Sequence, residues 1–142
     1  MRSAVLEQNS GATAGVKKKV EKITVARTLT NDDSGKVFML DAAGGAYSIT
    51  LPTSLEDGVY YKFIVEEETP SNAITIAAGS AIVSLVMKDP GGNASNSTAG
   101  TQVSNVILDT TSQRSDYVNF LAWNGEWLAE SMSSINAGIH TS

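Results

Sequence analysis

The side chains of this chain that could do chemistry are few and poorly grouped. A nucleophilic serine needs a base, and the one histidine among the 142 residues is His140, two positions from the end of the polar stretch 133–142. Cysteine is absent, which removes a thiol nucleophile, a disulfide framework and a thiolate metal site. Carboxylate pairs for acid–base work could come from Asp32-Asp33 or from Glu66-Glu67-Glu68. The first pair shares a turn with Gly35, where side-chain oxygens bond nearby backbone. The triplet follows a strand and reads as a solvated charge run that discourages edge pairing. Neither shows the alternating ligand spacing of a calcium loop. Asp33-Ser34-Gly35-Lys36 imitates the tail of a phosphate-binding loop, yet the upstream glycine and the following helix are missing. Trp123, Trp127 and the tyrosines could form a sugar-stacking platform or could simply pack. Neither catalytic residues nor metal ligands nor a cofactor are expected.

Contact is the function class that remains, and charge is distributed accordingly. Residues 1–22 hold Arg2, Lys17, Lys18, Lys19 and Lys22 against Glu7 and Glu21, a balance of +3, whereas the remainder carries five cations against thirteen anions, or −8. Such a split reads as a basic arm on an acidic body. The net charge of −5 argues against nucleic acid as the main partner. No apolar run approaches the roughly 20 residues that span a bilayer, and Met1 to Glu7 lacks the apolar region of a signal peptide. Neither membrane insertion nor export is expected. Within the arm, Gln8 to Gly15 is too poor in apolar residues to offset the entropy of its own ordering. It is either a solvated leader or an arm that docks on a neighbouring subunit.

From Val20 onward the hydrophobic period is two. Tyr47, Ile49 and Leu51 share one face, and Val59, Tyr61, Phe63 and Val65 share another. Further strands are expected at 20–25, 36–41, 73–77, 81–87, 102–108 and 117–121. Turn residues separate them at 31–35, 43–45, 56–58 and 69–72. Many short strands at close spacing indicate an all-β domain, an antiparallel β-sandwich or barrel with an extended N-terminal arm. The organisation expected is an arm over 1–22, a β domain over 23–132 with an exposed loop at 88–101, and a polar tail over 133–142. The loop contains the sequons Asn93-Ala94-Ser95 and Asn96-Ser97-Thr98, which carry little weight without a secretory signal.

Asn124-Gly125 is the strongest local turn signal, because a two-residue type I′ turn needs positive φ at both positions. It sets Trp123 opposite Glu126, Ala122 opposite Trp127, Leu121 opposite Leu128 and Phe120 opposite Ala129. One face of the hairpin then carries Val118, Phe120, Ala122 and Trp127. The other carries Leu121, Trp123 and Leu128, which are candidate subunit-interface residues. Both faces are apolar, so the second must meet another sheet of the domain or another subunit.

The stretch from Thr30 to Pro52 resembles a pattern common in virion proteins of tailed phages. Its parts are a leading Leu29-Thr30, the Asp33-Ser34-Gly35-Lys36 turn, an apolar strand ending near Ala43-Gly44 and the Ile49-Thr50-Leu51-Pro52 strand. Gly58 and Tyr61-Lys62-Phe63-Ile64-Val65 extend it, and the Trp123-Asn124-Gly125-Glu126-Trp127 hairpin with its Ser- and Gly-rich tail is similar too. The resemblance covers most of residues 28–138. It implies a capsid decoration (cement) protein, a head fibre or a tail-associated adhesin, β-rich and commonly trimeric, with no catalytic residues to carry over. The expected function is therefore non-enzymatic: a homotrimer on the outer surface of the virion, stabilising the shell by binding the major capsid protein. Arg2, Lys17, Lys18, Lys19 and Lys22 would meet the shell. The alternative is a carbohydrate- or receptor-binding module in which Trp123, the tyrosines and the 88–101 loop meet a host glycan.

Overall fold

Period-two segments become strands throughout the computed structural model, which describes residues 17–88, 90 and 103–142, with the backbone alone at 80–86 and 103. In chain order these are β1 (Val20–Ile23), β2 (Arg27–Thr28), β3 (Val37–Leu40), β4 (Tyr47–Thr50), β5 (Tyr60–Val65), β6 (Ile74–Lys88), β7 (Val103–Leu108), β8 (Tyr117–Trp123), β9 (Glu126–Met132) and β10 (Ile139–Thr141). A 3-10 turn at Asn31–Asp33 is the one helical element among the described residues.

The strands make a two-layered β-sandwich. β1, β3, β5, β8 and β9 lie side by side in one layer, and β2, β4, β6, β7 and β10 in the other. From β1 to β6 the chain alternates between layers, so each strand pairs with the one two places on. The pairs β1–β3, β3–β5, β2–β4 and β4–β6 are consequently parallel, with a strand of the opposite layer serving as the crossover. The later pairs β5–β8, β8–β9, β6–β7 and β7–β10 are antiparallel. The all-β sandwich expected from the sequence is the architecture found, and its ladders are mixed rather than wholly antiparallel. Gly- and Asp-rich turns mark where the chain reverses. They do not specify whether it reverses within a sheet or across to the facing one.

β6 joins the layers. Its first part, up to Ala77, pairs with β4 and β7, and its second, from Ile82, runs parallel to β9. Between them Gly79 has φ +70, a conformation that residues with a Cβ rarely adopt. The glycine lets one strand turn from one layer into the other, so the separate strands expected at 73–77 and 81–87 are a single bent one.

The inward faces meet in one core. Phe38, Tyr61, Phe63, Phe120 and Trp127 are fully buried from the first layer, and Ile49, Leu51, Ile74, Ile76, Val106 and Leu108 lie against them from the second. The aromatic rings interlock, with centroids 5.4 Å apart for Phe38–Phe63, 5.6 Å for Tyr61–Trp127 and 5.9 Å for both Phe63–Phe120 and Phe120–Trp127. Tilted and edge-on pairs of this kind each add about 0.5–1.5 kcal/mol beyond the area they bury. The Tyr61 hydroxyl is satisfied by donating to the Thr30 carbonyl.

Two domain boundaries need correction. Val20, Glu21 and Lys22 belong to β1, inside the sheet, so the arm ends before Val20 rather than at Lys22. Its first 16 residues, and most of the 88–101 loop with both sequons, lie outside the described residues. Residues 133–142 are not a polar tail. β10 pairs with β7, Ile139 and Ser133 are buried, and Asp116 holds the approach by accepting the Ser134 N–H at 2.8 Å and the Ser134 hydroxyl at 2.7 Å. Serine reads as solvated when its distant carboxylate partner is unknown, which is why the sequence hid this strand.

Gly138 sets the closeness of that closure. A Cβ there would press on the Ser133 hydroxyl and lie 3.2 Å from the Ser112 Cα. Gly138→Ala is expected to cost about 1–3 kcal/mol in urea unfolding, with amide protection lost first at Ile139–Thr141. An unchanged midpoint would show that the C-terminal strand tolerates displacement freely.

Candidate interaction surface

The hairpin forms in the register set by its turn. Trp123 faces Glu126, Ala122 faces Trp127 and Leu121 faces Leu128, with Asn124 at φ 53 and Gly125 at φ 77. The Asn124 N–H donates to Asp57 at 2.7 Å, which ties the tip to the 56–58 turn, and Gly58 donates to the Ala122 carbonyl at 2.8 Å. Val118, Phe120, Ala122 and Trp127 consequently point inward and are fully buried. Leu121, Trp123 and Leu128 point outward and remain 41%, 61% and 39% exposed. Together with Asp57, Gly58 and Ala122 they line a shallow hollow of about 530 Å³.

The three interface candidates therefore stand together on the outer face of β8 and β9, and no second sheet among the described residues covers them. Of the two possibilities left open by the sequence, an intramolecular cover from the described residues is eliminated. Removing the exposed part of such side chains from water is worth about 0.5–1.5 kcal/mol each, so a partner that covers all three gains from this face. A polar belt bounds the patch farther along the strands. Asn119 faces Glu130 across the β8–β9 ladder, the Tyr117 hydroxyl donates to Glu130 at 3.2 Å, and Lys62 sits 4.5 Å from the Tyr117 ring centroid. Asp57 and Gly58 at the rim were legible only as a turn, since the bond from Asn124 to Asp57 spans 67 positions.

The basic candidates do not behave alike. Lys17, Lys18 and Lys19 are exposed just before β1, and Arg2 lies outside the described residues. Lys22 points its ammonium at Asp41 (2.8 Å) and Glu66 (2.9 Å), whose hydrogen bonds raise its pKa. It therefore clamps β1 within the molecule while staying half-exposed.

Among the acidic candidates Asp33, Glu66 and Glu67 are also structural. Asp33 accepts the Thr30 N–H at 3.0 Å, as a turn carboxylate should, and also meets Lys36 at 2.6 Å and Arg27 at 3.2 Å. Glu21 joins them, bonded to Arg27 at 2.6 Å and to Lys36 at 3.2 Å. The Arg27 guanidinium lies 5.4 Å over the Phe38 ring, so this network caps one end of the core. In the glutamate triplet, Glu66 binds Lys22, Glu67 accepts the Ala42 N–H and Glu68 faces Arg114. Among the described residues no three His, Asp or Glu side chains gather as a metal site would require. His140 stands in β10 with Nδ1 3.7 Å from Asp109.

No family model matches the chain, and no curated protein is found to resemble it.

Two predictions follow from these placements. Trp123→Ser is expected to leave the urea midpoint within about 0.5 kcal/mol of the parent, whereas Trp127→Ala costs about 3–5 kcal/mol; comparable losses for both would overturn the assignment of faces. The second concerns pH. Burial opposes the Asp33 charge, but hydrogen bonds from Lys36 and the Thr30 N–H outweigh it, and the Arg27 hydrogen bond leads the depression of Glu21 against a smaller burial effect. Both carboxylates have folded values below their ordinary 3.8 and 4.5, so their stabilisation is complete above those values and is lost as pH falls below them. Lys36→Met should flatten this acid limb in denaturation curves taken from pH 6 to 2. A limb of unchanged steepness would remove the network from the acid response.

Proposed function

We infer that the chain is a non-enzymatic capsid decoration protein of a tailed phage, binding the outside of the shell formed by the major capsid protein and stabilising it. The observation that carries this reading is the exposed Leu121–Trp123–Leu128 patch on a sandwich in which Glu21, Lys22, Asp33 and Lys36 are taken up in ion pairs. The tailed-phage pattern over residues 28–138 supports it. In this reading Lys17, Lys18, Lys19 and Arg2 meet acidic shell surface, Lys22 contributes only its exposed flank, and the patch joins neighbouring copies into a trimer on the lattice. Weak contacts repeated over a symmetric shell suffice, because avidity multiplies them.

A second reading rests on Trp123 itself. An indole this exposed beside Asp57 suits stacking on a sugar with a carboxylate accepting its hydroxyls, as in a receptor-binding module of a fibre or tail.

Copy number separates the two. Added to expanded shells of the cognate capsid protein, the chain should co-sediment to saturation near one copy per capsid subunit, and deletion of residues 1–19, which removes Arg2, Lys17, Lys18 and Lys19, should lower incorporation at least tenfold. Undiminished incorporation of the deletion would remove the arm from the contact. A handful of copies per virion, with glycan binding abolished by Trp123→Ala, would replace decoration with the second reading.

A further inference from the structure

We propose that two copies of the free chain pair face to face through the outer surface of β5, β8 and β9, about a two-fold axis that runs along β8 and sets Lys62 of each copy against Glu130 of the other. The ladders place these side chains in one row. Lys62 stands beside Asn119 and Asn119 beside Glu130, so cation and anion flank β8, each one strand spacing of about 4.8 Å away. Lys62 is partly exposed and Glu130 fully so. Among the described residues neither has an ionic partner, whereas Glu21, Lys22, Arg27, Asp33 and Lys36 all do. Both charges gather instead around Tyr117, with the Lys62 ammonium 4.5 Å from its ring centroid and Glu130 accepting its hydroxyl.

Apolar rows lie on either side of the charged one. Tyr60, Leu121 and Leu128 are in register towards the hairpin turn, and Ile64, Tyr117 and Met132 in the other direction. Of the seven large apolar side chains exposed among the described residues, Val20, Leu121, Trp123, Leu128 and Met132 stand on this one face. Whatever covers it must accept apolar surface in two rows and both signs of charge between them.

A second copy does so in one orientation. Facing sheets lie about 10 Å apart with their strands nearly aligned or nearly orthogonal, and a two-fold that relates them lies in the plane between. An axis along β8 exchanges β5 with β9 and keeps every row in place. Lys62 then faces the partner's Glu130 at two equivalent positions, Tyr60 faces the partner's Leu128, Ile64 faces the partner's Met132, and Leu121 and Trp123 meet their own equivalents near the axis. An axis across the strands would set Lys62 on Lys62 and Glu130 on Glu130. A diagonal axis, which makes the strands orthogonal, would lay each charge over Leu121 or Tyr117. The charges thus select the first arrangement, in which the face is complementary to itself as an isologous contact requires. A like-charge approach remains at the rim, where Glu126 comes nearest the partner's Asp57 in water that screens it.

This pair does not rest on the decoration reading. It occupies the surface which that reading gives to a trimer on the lattice, so shell binding would exchange one contact for the other. The pair is measured without a shell, and its failure and that of the decoration reading are therefore distinguishable.

The test is sedimentation equilibrium of the full-length protein over a wide range of concentration. The parent should approach twice the chain mass at the upper end. Lys62→Glu and Glu130→Lys, each with a urea midpoint near that of the parent in dilute solution, should each weaken the pair by about tenfold or more, because each brings like charges together at both contacts. Mixed in equal amounts, the two variants should pair with one another at least as tightly as the parent, since one then offers carboxylates at both positions and the other ammonium groups. A parent that stays monomeric, or that forms a trimer in free solution, would overturn the proposal. So would charge variants that pair with themselves as well as the parent does, or a mixture that fails to regain the pair.

Discussion

Positive φ at Asn124 and Gly125 is a local requirement with consequences across the whole first layer. A two-residue turn leaves no freedom of register, and a slip of one residue would exchange every side chain between core and solvent. With the register fixed, Trp127 enters the core between Tyr61 and Phe120, and Phe120 meets Phe63 edge-on. The same constraint places Leu121, Trp123 and Leu128 in water. The patch is therefore the other side of the ladder that builds the core, and neither face can be altered by shifting the strands.

The remainder of the fold supplies what a hairpin alone lacks. Two strands are marginal in water, and three or more over a buried face are needed for independent stability. β5 provides the third strand beside β8, and β3 and β1 extend the layer by parallel pairing. These parallel pairs depend on the chain passing through the opposite layer between them, so both layers must assemble together. Long closures of this kind place the topology among slow-folding β proteins. The bend at Gly79 has the same character, since one strand commits to neighbours in both layers.

Local signals were legible where the physics is local. The alternation of Val59, Tyr61, Phe63 and Val65 gave the correct inward face of β5, and Asn124-Gly125 gave a complete hairpin register and both of its faces. The candidate patch could be read for the same reason. Parallel pairing was not legible, because a turn motif reports a change of direction and not the sheet on which the chain lands. β10 was hidden by a run of serines whose partner, Asp116, lies 18 positions before Ser134. Lys22 looked like part of a free basic arm because Asp41 and Glu66 reach it only after β3 and β5 are in place.

Edges explain why association would use a face. An open sheet edge is a template for adding further strands, and proteins blunt it with short strands and charge. β2 has two residues and β10 three, so each offers little ladder to a newcomer. β1 is longer, but Glu21 is held by Arg27 and Lys36, and Lys22 by Asp41 and Glu66. An incoming strand would lie against these ion pairs and gain only four residues of pairing. The Leu121–Trp123–Leu128 face imposes no such penalty, because its apolar side chains already stand in water on a backbone fixed by hydrogen bonds on both sides. Closed association through that face is compatible with a finite oligomer, whereas strand addition at β1 would be open-ended.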